Sequence, residues 1–404
     1  MKPKATKSKT TTTRRKRPGS SGFTETGSIA EMKATVERFE RRIMEAQRSN
    51  GPTREKVKSA VRRTGSGRCP SWTKRLSMDV VVRYGDALAD VFCEYPDDVI
   101  RLAPYELWLG HQPADRKDKV DPVYILTQDA QWVDEWGTRW AHSAGGTGAH
   151  QMSAPIADWS QLDDYLANRL PKADARGRFD AVFPEIEAFK GTKYLLGRIG
   201  LTMYERMNGL RGAENVLTDL YTNETELRRL CDALSEYVLG MIRQWAKLGA
   251  DGLFMTEDWG MQTGLMISPV MWRRIFKPYY ARMIEEAHSL GLDVMLHSCG
   301  NVMEIIGDFV DIGLDVLDPI QPTAMDIREV ARNFGGKISF LGAINAREML
   351  STYKPWQVKD MVRRTIDTLA KPFGGGLIVS PDNVLTPELP LENIRAMVQA
   401  CHEG

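Results

Sequence analysis

A repeated pattern in the second half of the chain constrains its fold more than any other feature. Three times, a segment with helical periodicity ends at Gly, one residue follows, and Asp opens an apolar run; the copies are GADGLF at 249–254, GLDVM at 291–295 and GLDVL at 313–317. Gly fits a helix C-cap, where left-handed backbone is needed. Three copies indicate repeated strand–helix units and favour an α/β fold, specifically a (β/α)8 TIM barrel, over a doubly wound sheet.

The alternation of apolar runs and amphipathic segments predicts three regions. Residues 1–28 are expected to be a disordered basic tail, because the first 18 residues hold eight Lys or Arg and no acid. Residues 29–119 are expected to form an N-terminal helical extension packed on the barrel, and residues 120–404 the barrel itself. The predicted strands of the second half are 194–200, 252–260, 293–300, 315–320, 338–345 and 376–383.

Composition narrows the classes of protein that the chain can belong to. The net charge is +1 and the body without the tail is mildly acidic, so a nucleic-acid-binding surface is not expected. No run of about 18 apolar residues occurs, which argues against a membrane span. The five cysteines lie far apart and are odd in number, which indicates no disulfide framework and a reducing compartment. We therefore expect a cytoplasmic protein.

Polar residues gather where the predicted strands end. In a (β/α)8 barrel the active site lies at the carboxyl ends of the strands, although polar residues also favour strand ends because loops are wet. The candidate residues at these ends are Glu257, Asp258, His297, Cys299, Asp318, Gln321, Asn345, Asp382 and Asn383.

The segment GLDVMLHSCGNV carries the sharpest candidate, His297 followed two residues later by Cys299. Side chains two residues apart on a strand point to the same face, and imidazole and thiolate together suit Zn²⁺. Two ligands do not hold zinc, so a third must come from another strand end; the candidates are Glu257, Asp258, Asp382 and Asn383. The alternative is an ordinary pair of residues at the end of a strand.

The segment TEDWGMQ, residues 256–262, is the second dense cluster. Glu257 and Asp258 could act as general acid or base, position a polar substrate, or reach a metal. Gln262 and Trp259 are candidates for substrate contacts. The competing interpretation is a capped loop whose acids face solvent and a tryptophan that only packs.

The chain resembles the uroporphyrinogen decarboxylase superfamily from about residue 120 to the C terminus. The segments that carry the resemblance are 237–280, HSCGNVMEIIGDFVDIGLDVLDPIQP at 297–322, GGKISFLGAIN at 335–345 and GGGLIVSPDNVLTPELPLENIRAM at 374–397. The resemblance implies a (β/α)8 barrel with its cleft at the strand carboxyl ends. The decarboxylase branch has an N-terminal Arg-Gln-Ala-Gly-Arg-Tyr segment, which does not occur here, and its tyrosine and histidine fall near Asn208 and Asn383.

The other branch of the superfamily is similar to corrinoid-dependent methyltransferases. In that branch a His-x-Cys pair and a later Cys bind zinc. The resemblance implies that His297 and Cys299 are ligands, and that the later Cys falls near Asn383, where Asp382 or Glu257 would substitute. We take His297, Cys299 and Asp382 as the predicted metal ligands.

These observations predict an enzyme that moves a methyl group between a small methylated substrate and a separate corrinoid protein, with help from Zn²⁺. The predicted catalytic residues are Glu257, Asp258 and His297, and the predicted substrate contacts are Gln262, Trp259, Gln321, Asn345 and Asn383. One alternative is metal-free decarboxylation of uroporphyrinogen or another acidic substrate. A second is a barrel that has lost catalysis and only binds a ligand. The sequence leaves a homodimer open.

Overall fold

The computed structural model describes residues 28–65, 67–105, 109–117, 119–143, 148–347 and 351–404. Apart from Ser28, which caps the first helix, the predicted basic tail lies outside these residues. Within the described part of the chain, no helix combines the length and apolar character that a membrane crossing requires.

The strands form two sheets. They are β1 (Val99–Leu102), β2 (Ala130–Val133), β3 (Arg139–His142), β4 (His150–Ser153), β5 (Tyr194–Ile199), β6 (Gly252–Glu257), β7 (Asp293–Ser298), β8 (Val316–Ile320), β9 (Ser339–Ile344) and β10 (Leu377–Pro381). Seven of them pair in parallel in the order β1-β5-β6-β7-β8-β9-β10, and β2, β3 and β4 form a small antiparallel sheet. The predicted α/β barrel is confirmed, and β5 to β10 match the six predicted strands.

The eighth position of the barrel is filled by a short segment before β1. Ser71 forms a parallel bridge to Val379 of β10. The Trp72 N–H donates to Val379 O (3.0 Å), and the Asp98 N–H, just before β1, donates to Ser71 O (2.9 Å). Residues 70–72 therefore connect the two edges of the seven-stranded sheet. This segment and β1 both precede residue 120, so the N-terminal part contributes to the sheet; the domain boundary itself stays a prediction.

Helices surround the parallel sheet. They are α1 (Ile29–Ser49), α2 (Arg54–Val61), α3 (Met78–Glu94), α4 (Pro122–Thr127), α5 (Leu162–Asn168), α6 (Phe183–Phe189), α7 (Tyr204–Arg211), α8 (Ala213–Thr222), α9 (Glu224–Leu248), α10 (Pro269–Ile275), α11 (Lys277–Ser289), α12 (Met303–Asp311), α13 (Ile327–Phe334), α14 (Pro355–Leu369) and α15 (Leu391–Glu403). Short 3₁₀ turns occupy Trp159–Gln161, Asp180–Val182 and Lys371–Phe373.

The repeated Gly-x-Asp pattern has a structural explanation at the amino ends of the strands. Gly249 ends α9 with left-handed backbone (φ 84°), as a C-cap requires. Two residues later, Asp251 accepts a hydrogen bond from the Leu195 N–H (3.1 Å) of the preceding strand. Asp315 does the same for Val294 (2.7 Å). Two of the three copies thus tie a strand to its neighbour at the end opposite the predicted site, where such residues serve stability.

Candidate functional site

The packing of the barrel interior identifies the side chains that face the barrel mouth. The interior cluster contains Trp72, Val99, Tyr194, Leu196, Phe254, Met295, Val316, Leu341 and Ile378. Because side chains alternate along a strand, the residues two or four positions further on also point inward, at the carboxyl ends. These are Arg101, Arg198, Asp258, His297, Cys299, Asp318 and Asp382.

Three of these side chains come together as a candidate metal centre. His297 Nε2 lies 3.1 Å from Cys299 Sγ and 3.9 Å from Asp258 Oδ1. Among the described residues, these three offer ligand atoms that all lie within 4.8 Å of one another. Metal–ligand distances of about 2.0–2.3 Å place neighbouring ligands of a tetrahedral ion roughly 3.3–3.8 Å apart. The separations of 3.1 and 3.9 Å lie just outside this range on either side, and a nitrogen, a sulfur and an oxygen donor are ligand types that suit Zn²⁺.

Close approach of two glycines brings Asp258 and Cys299 together. A Cβ on Gly260 would lie 2.4 Å from Cys299 O, and one on Gly300 would lie 2.4 Å from the Gly260 carbonyl carbon. Gly300 also has left-handed backbone (φ 80°), which favours glycine. The resulting contact lets the Cys299 N–H donate to Asp258 Oδ1 (2.9 Å). The loops after β6 and β7 are thus in direct backbone contact beside the donor residues.

Asp318 and Arg75 fix the orientation of the His297 ring. The His297 Nδ1–H donates to Asp318 Oδ2, which directs Nε2 toward Cys299. Arg75 donates to both oxygens of Asp318 (2.7 and 3.1 Å), and its guanidinium lies 5.5 Å from the centre of the Trp72 ring. Burial alone would raise the pKa of Asp318, but the charges of Arg75 and His297 outweigh burial and lower that pKa. The ionised carboxylate is the outer partner that a metal-bound histidine usually has.

Glu257, a predicted catalytic residue, caps a helix in the structure. Its side chain is fully buried. Its oxygens accept the backbone N–H groups of Met203, Tyr204 (3.2 Å) and Glu205 (3.1 Å), at the start of α7. Burial raises the pKa of Glu257 to about 7, against the lowering effect of these hydrogen bonds. The structure therefore uses Glu257 to hold α7 against the end of β6.

Asp382, the predicted third metal ligand, lies outside the group of three donors. Its Oδ1 accepts the Ala346 N–H (2.8 Å), which ties β10 to the loop after β9. Burial raises its pKa to about 6, although Arg75 and Arg347 lower it. Strand order explains the arrangement. β10 is three strands from β7, whereas β6, which Asp258 directly follows, is the direct neighbour of β7.

Two predicted substrate contacts, Gln321 and Gln262, make hydrogen bonds to neighbouring loops. Gln321 Oε1 accepts the Gly300 N–H (2.9 Å), which supports the turn directly after Cys299. The exposed Gln262 donates through Nε2 to Thr323 O. Both glutamines thus brace the rim around the candidate metal centre.

The other predicted substrate contacts lie in three different places. Trp259 is fully buried and stacked on Tyr204, with 4.6 Å between ring centres, so it packs in the core. Asn345 is buried and lines a cavity of about 360 Å³ that also includes the exposed Trp356. Asn383 lines a larger cavity at the barrel mouth. Of the residues predicted to contact substrate, Asn383 has the position that best suits this role.

Sequence reasoning missed two residues near the donors, Arg75 and Glu205. Arg75 follows residues 70–72, the segment that closes the barrel. No pattern in the sequence around Arg75 indicates that its side chain contacts Asp318, which lies 243 residues away. Glu205 lies in the first turn of α7. Burial and the charges of Asp258 and Glu257 raise its pKa to about 8. A carboxyl group that stays protonated near neutral pH can donate a proton.

The large cavity at the barrel mouth has a volume of about 650 Å³ and is lined by arginines. Arg101 comes from β1, Arg198 from β5 and Arg347 from the loop after β9. Arg198 is buried and donates to Tyr105 O. No sequence pattern indicated a cationic cleft, because these arginines lie up to 246 residues apart (347 − 101) and meet only in the folded barrel.

Comparison with known proteins places these observations in a family. The model of the uroporphyrinogen decarboxylase (URO-D) family matches residues 199–404, slightly more than half of the chain. A uroporphyrinogen decarboxylase of Thermus thermophilus is 28% identical over 186 residues, which cover 46% of this chain and 50% of that protein. The methylated-thiol–coenzyme M methyltransferase of Methanosarcina mazei is 24% identical over 230 residues, which cover 57% of this chain and 56% of that protein.

Among solved structures, a methyltransferase from Methanosarcina mazei superposes with a TM-score of 0.65. The superposition covers 88% of this chain and 99% of that one at 17% identity. At this identity the likeness bears on the fold alone. The chain spans about half the length of the curated relatives that it matches.

Proposed function

Because the chain belongs to the uroporphyrinogen decarboxylase family, we propose that it catalyses methyl transfer between a small methylated substrate and a separate corrinoid protein, with Zn²⁺ held at the barrel mouth. The relatives include both a methyltransferase and decarboxylases. The observation that carries the choice is the group formed by Asp258, His297 and Cys299. A metal-free decarboxylase does not require a nitrogen, a sulfur and an oxygen donor that surround a single position.

In this proposal the third ligand is Asp258 and not Asp382. When bound, the ion would act as a Lewis acid on the heteroatom that carries or receives the methyl group. Asp318 holds the His297 ring so that Nε2 faces the ion, and Arg75 holds Asp318. Glu205, half-buried beside these groups, is placed to give a proton to the heteroatom that loses its methyl group. Glu257 contributes by holding α7, which carries Glu205, in place.

The first test is the metal content of the protein purified without added metal. We expect about one zinc per chain, as in catalytic sites with three protein ligands. The variants Cys299→Ser, His297→Ala and Asp258→Ala should lose it. Cys401→Ser is a matched control, because Cys401 is a buried thiol in α15 outside the donor group. Absence of metal from the wild type, or its retention in all three ligand variants, would refute the zinc site.

The second test addresses the reaction. Zinc-loaded protein is incubated with methylated ethers, thiols or amines and a reduced corrinoid protein or free corrinoid, and formation of the methylated corrinoid is followed by its absorption spectrum. Turnover that is lost in Cys299→Ser and kept in Cys401→Ser supports methyl transfer. If zinc is bound but no methylated substrate transfers its methyl group to any corrinoid, the assignment of the reaction is wrong while the metal site stands.

Decarboxylation of an acidic substrate is a second candidate, because arginines line the cavity next to the site. It predicts turnover of a carboxylated substrate, tested first with uroporphyrinogen, in the presence of a metal chelator. Turnover under these conditions that survives Cys299→Ser would favour this candidate over methyl transfer.

A further inference from the structure

Five exposed apolar side chains form one surface at the rim of the barrel mouth, called here the rim surface. They are Leu217, Tyr221, Met261, Met266 and Val270. The first two and Met266 line a single cavity of about 440 Å³. Val270 follows the lining residue Pro269, and Met261 belongs to a hairpin, residues 260–265, whose last residue also lines the cavity. Single exposed apolar residues are normal, but a contiguous group of them marks an interaction surface.

The rim surface is built by the same chain connections that carry the candidate metal centre. α8, with Leu217 and Tyr221, lies in the connection after β5, and the hairpin follows β6 and Asp258. Glu304, which also lines the cavity, lies in α12, directly after the loop of Cys299. The hairpin is fixed to that loop, because the Asn301 N–H donates to Met261 O (2.7 Å).

The donor group is most accessible at Asp258, which lies on the same loop as the hairpin. The Asp258 side chain is 37% exposed, whereas the His297 side chain is 17% exposed. Met261 follows Asp258 by three residues and is 50% exposed. A reactant much wider than the donor group that approaches Asp258 therefore meets the hairpin and, beyond it, the cavity.

The chemistry of the rim surface suits a corrinoid. A corrin is a wide, flat ring with cobalt at its centre, so much of the ring must lie against the protein when the cobalt is close to the donor group. Met261 and Met266 can adapt to such a surface, because their side chains are unbranched and polarisable, and Tyr221 adds an aromatic contact. The carboxylate of Glu304 can accept hydrogen bonds from the amide groups at the edge of a corrin.

The size of the rim surface favours a reactant that binds and leaves over a permanent partner. A stable protein interface takes about 20–30 residues on each side, far more than the five apolar residues found here. A methyl carrier must dissociate after each transfer, and a small contact surface allows this.

We propose that the rim surface receives the corrin ring of the methyl carrier while the cobalt faces the candidate metal centre. The corrinoid in this statement rests on the proposed function. The rim surface adds the place where the ring binds, which is the side of the mouth formed by the connections after β5, β6 and β7.

The test is equilibrium dialysis of the full chain against methylcobalamin, a free corrinoid that presents the same ring, with the bound corrinoid measured by its visible absorption. We expect saturable binding by the wild type. Tyr221→Ser and Met261→Gln should each weaken it by about fivefold or more, because truncation of a central contact commonly has an effect of this size. Trp356→Ala is the matched control, because Trp356 is also an exposed aromatic residue but lies on α14.

Absence of saturable binding, equal affinity of the wild type and both rim variants, or an equal loss in Trp356→Ala would overturn the proposal. Sedimentation velocity tests the other occupant, a second copy of this chain. A dimer that both rim variants dissociate would assign the rim surface to self-association and would also overturn the proposal.

The variant Cys299→Ser separates this result from the proposed function. If it loses zinc and keeps its affinity for methylcobalamin, the rim surface binds the ring independently of the metal, as proposed; a loss of affinity would place the ring on the metal instead. If the wild type binds zinc and transfers methyl groups while both rim variants keep full affinity, the proposed function stands and the rim surface does not bind the ring. If the wild type binds methylcobalamin through the rim surface but holds no zinc, zinc-assisted methyl transfer fails and the binding surface stands.

Discussion

Replacement of Asp318 by Asn tests whether the Asp318 carboxylate orients the His297 ring for metal binding. Asp318 is fully buried; its carboxylate accepts a hydrogen bond from His297 and two from Arg75. Asparagine has nearly the same size, so the packing of β8 is kept. The change removes the negative charge that holds the imidazole with Nε2 toward Cys299 and Asp258.

Two separate effects follow, and both can be estimated. Loss of an outer carboxylate behind a metal-bound histidine typically weakens metal binding by about 10- to 100-fold, or about 1.4–2.8 kcal/mol. Removing one partner of a buried ion pair costs about 3–5 kcal/mol of folding free energy. Arg75, with an 8% exposed side chain, keeps one further bond to Pro381 O (3.3 Å). We therefore expect a loss of stability near the lower end of that range.

The assay is competition for zinc between the folded protein and a chromophoric chelator, with urea unfolding of the metal-free protein alongside. Asp308→Asn is the matched control, because Asp308 is also buried and bonded to Arg273 and Lys277, but it lies on α12 outside the barrel mouth. It should lose stability and keep its zinc affinity. If Asp318→Asn stays folded and binds zinc within about threefold of the wild type, well below the expected range, Asp318 does not support the metal ligand.

Three further changes follow from the contacts. Glu257→Gln should cost about 1–2 kcal/mol in urea unfolding, as loss of a helix cap does, while activity per folded molecule stays near wild type. Abolished activity with unchanged stability would instead support its predicted catalytic role. Gly260→Ala should weaken zinc binding, because its Cβ would force the two ligand loops apart, whereas Gly264→Ala has nothing within 4 Å and should have no effect; equal affinities would contradict this. The hydrogen bond that His288 Nε2–H donates to Asp315 Oδ2 (2.8 Å) raises the pKa of His288 above its usual value of about 6.5. The contribution of the His288–Asp315 pair to the free energy of unfolding is therefore complete below about pH 6.5 and is lost as pH rises through the pKa of His288 in the folded protein. The difference in unfolding free energy between wild type and His288→Gln should shrink with rising pH. A difference that stays constant with pH would refute this prediction.

The fold was predictable where one strand could be recognised from its own residues. Strands β5 to β10 are mostly apolar runs of five or six residues, and nearly all of their positions are buried, as is usual for parallel strands. β1 was missed because it has four residues and includes the exposed Arg101. The closing segment 70–72 was missed because a single bridge to β10 leaves no periodic pattern in the sequence.

The candidate site was predictable only along single strands. Alternation along β7 indicated that His297 and Cys299 share a face, and the structure has their donor atoms 3.1 Å apart. The choice between Asp258 and Asp382 as a third donor needed the strand order, which places β6 and not β10 beside β7. No local pattern contains that order.

The closing segment also explains why the N-terminal part matters for the chemistry. Residues 70–72 bridge β10 and β1, and the chain continues directly to Arg75, which reaches Asp318 and through it His297. Lys74 and Leu76, on either side of Arg75, line the cavity at the barrel mouth. One short segment therefore closes the barrel, orients the His297 ring through Asp318 and forms part of the wall of the cavity at the barrel mouth. A change that loosens the pairing of Ser71 with Val379 should therefore weaken metal affinity, although neither residue belongs to the group of three donors.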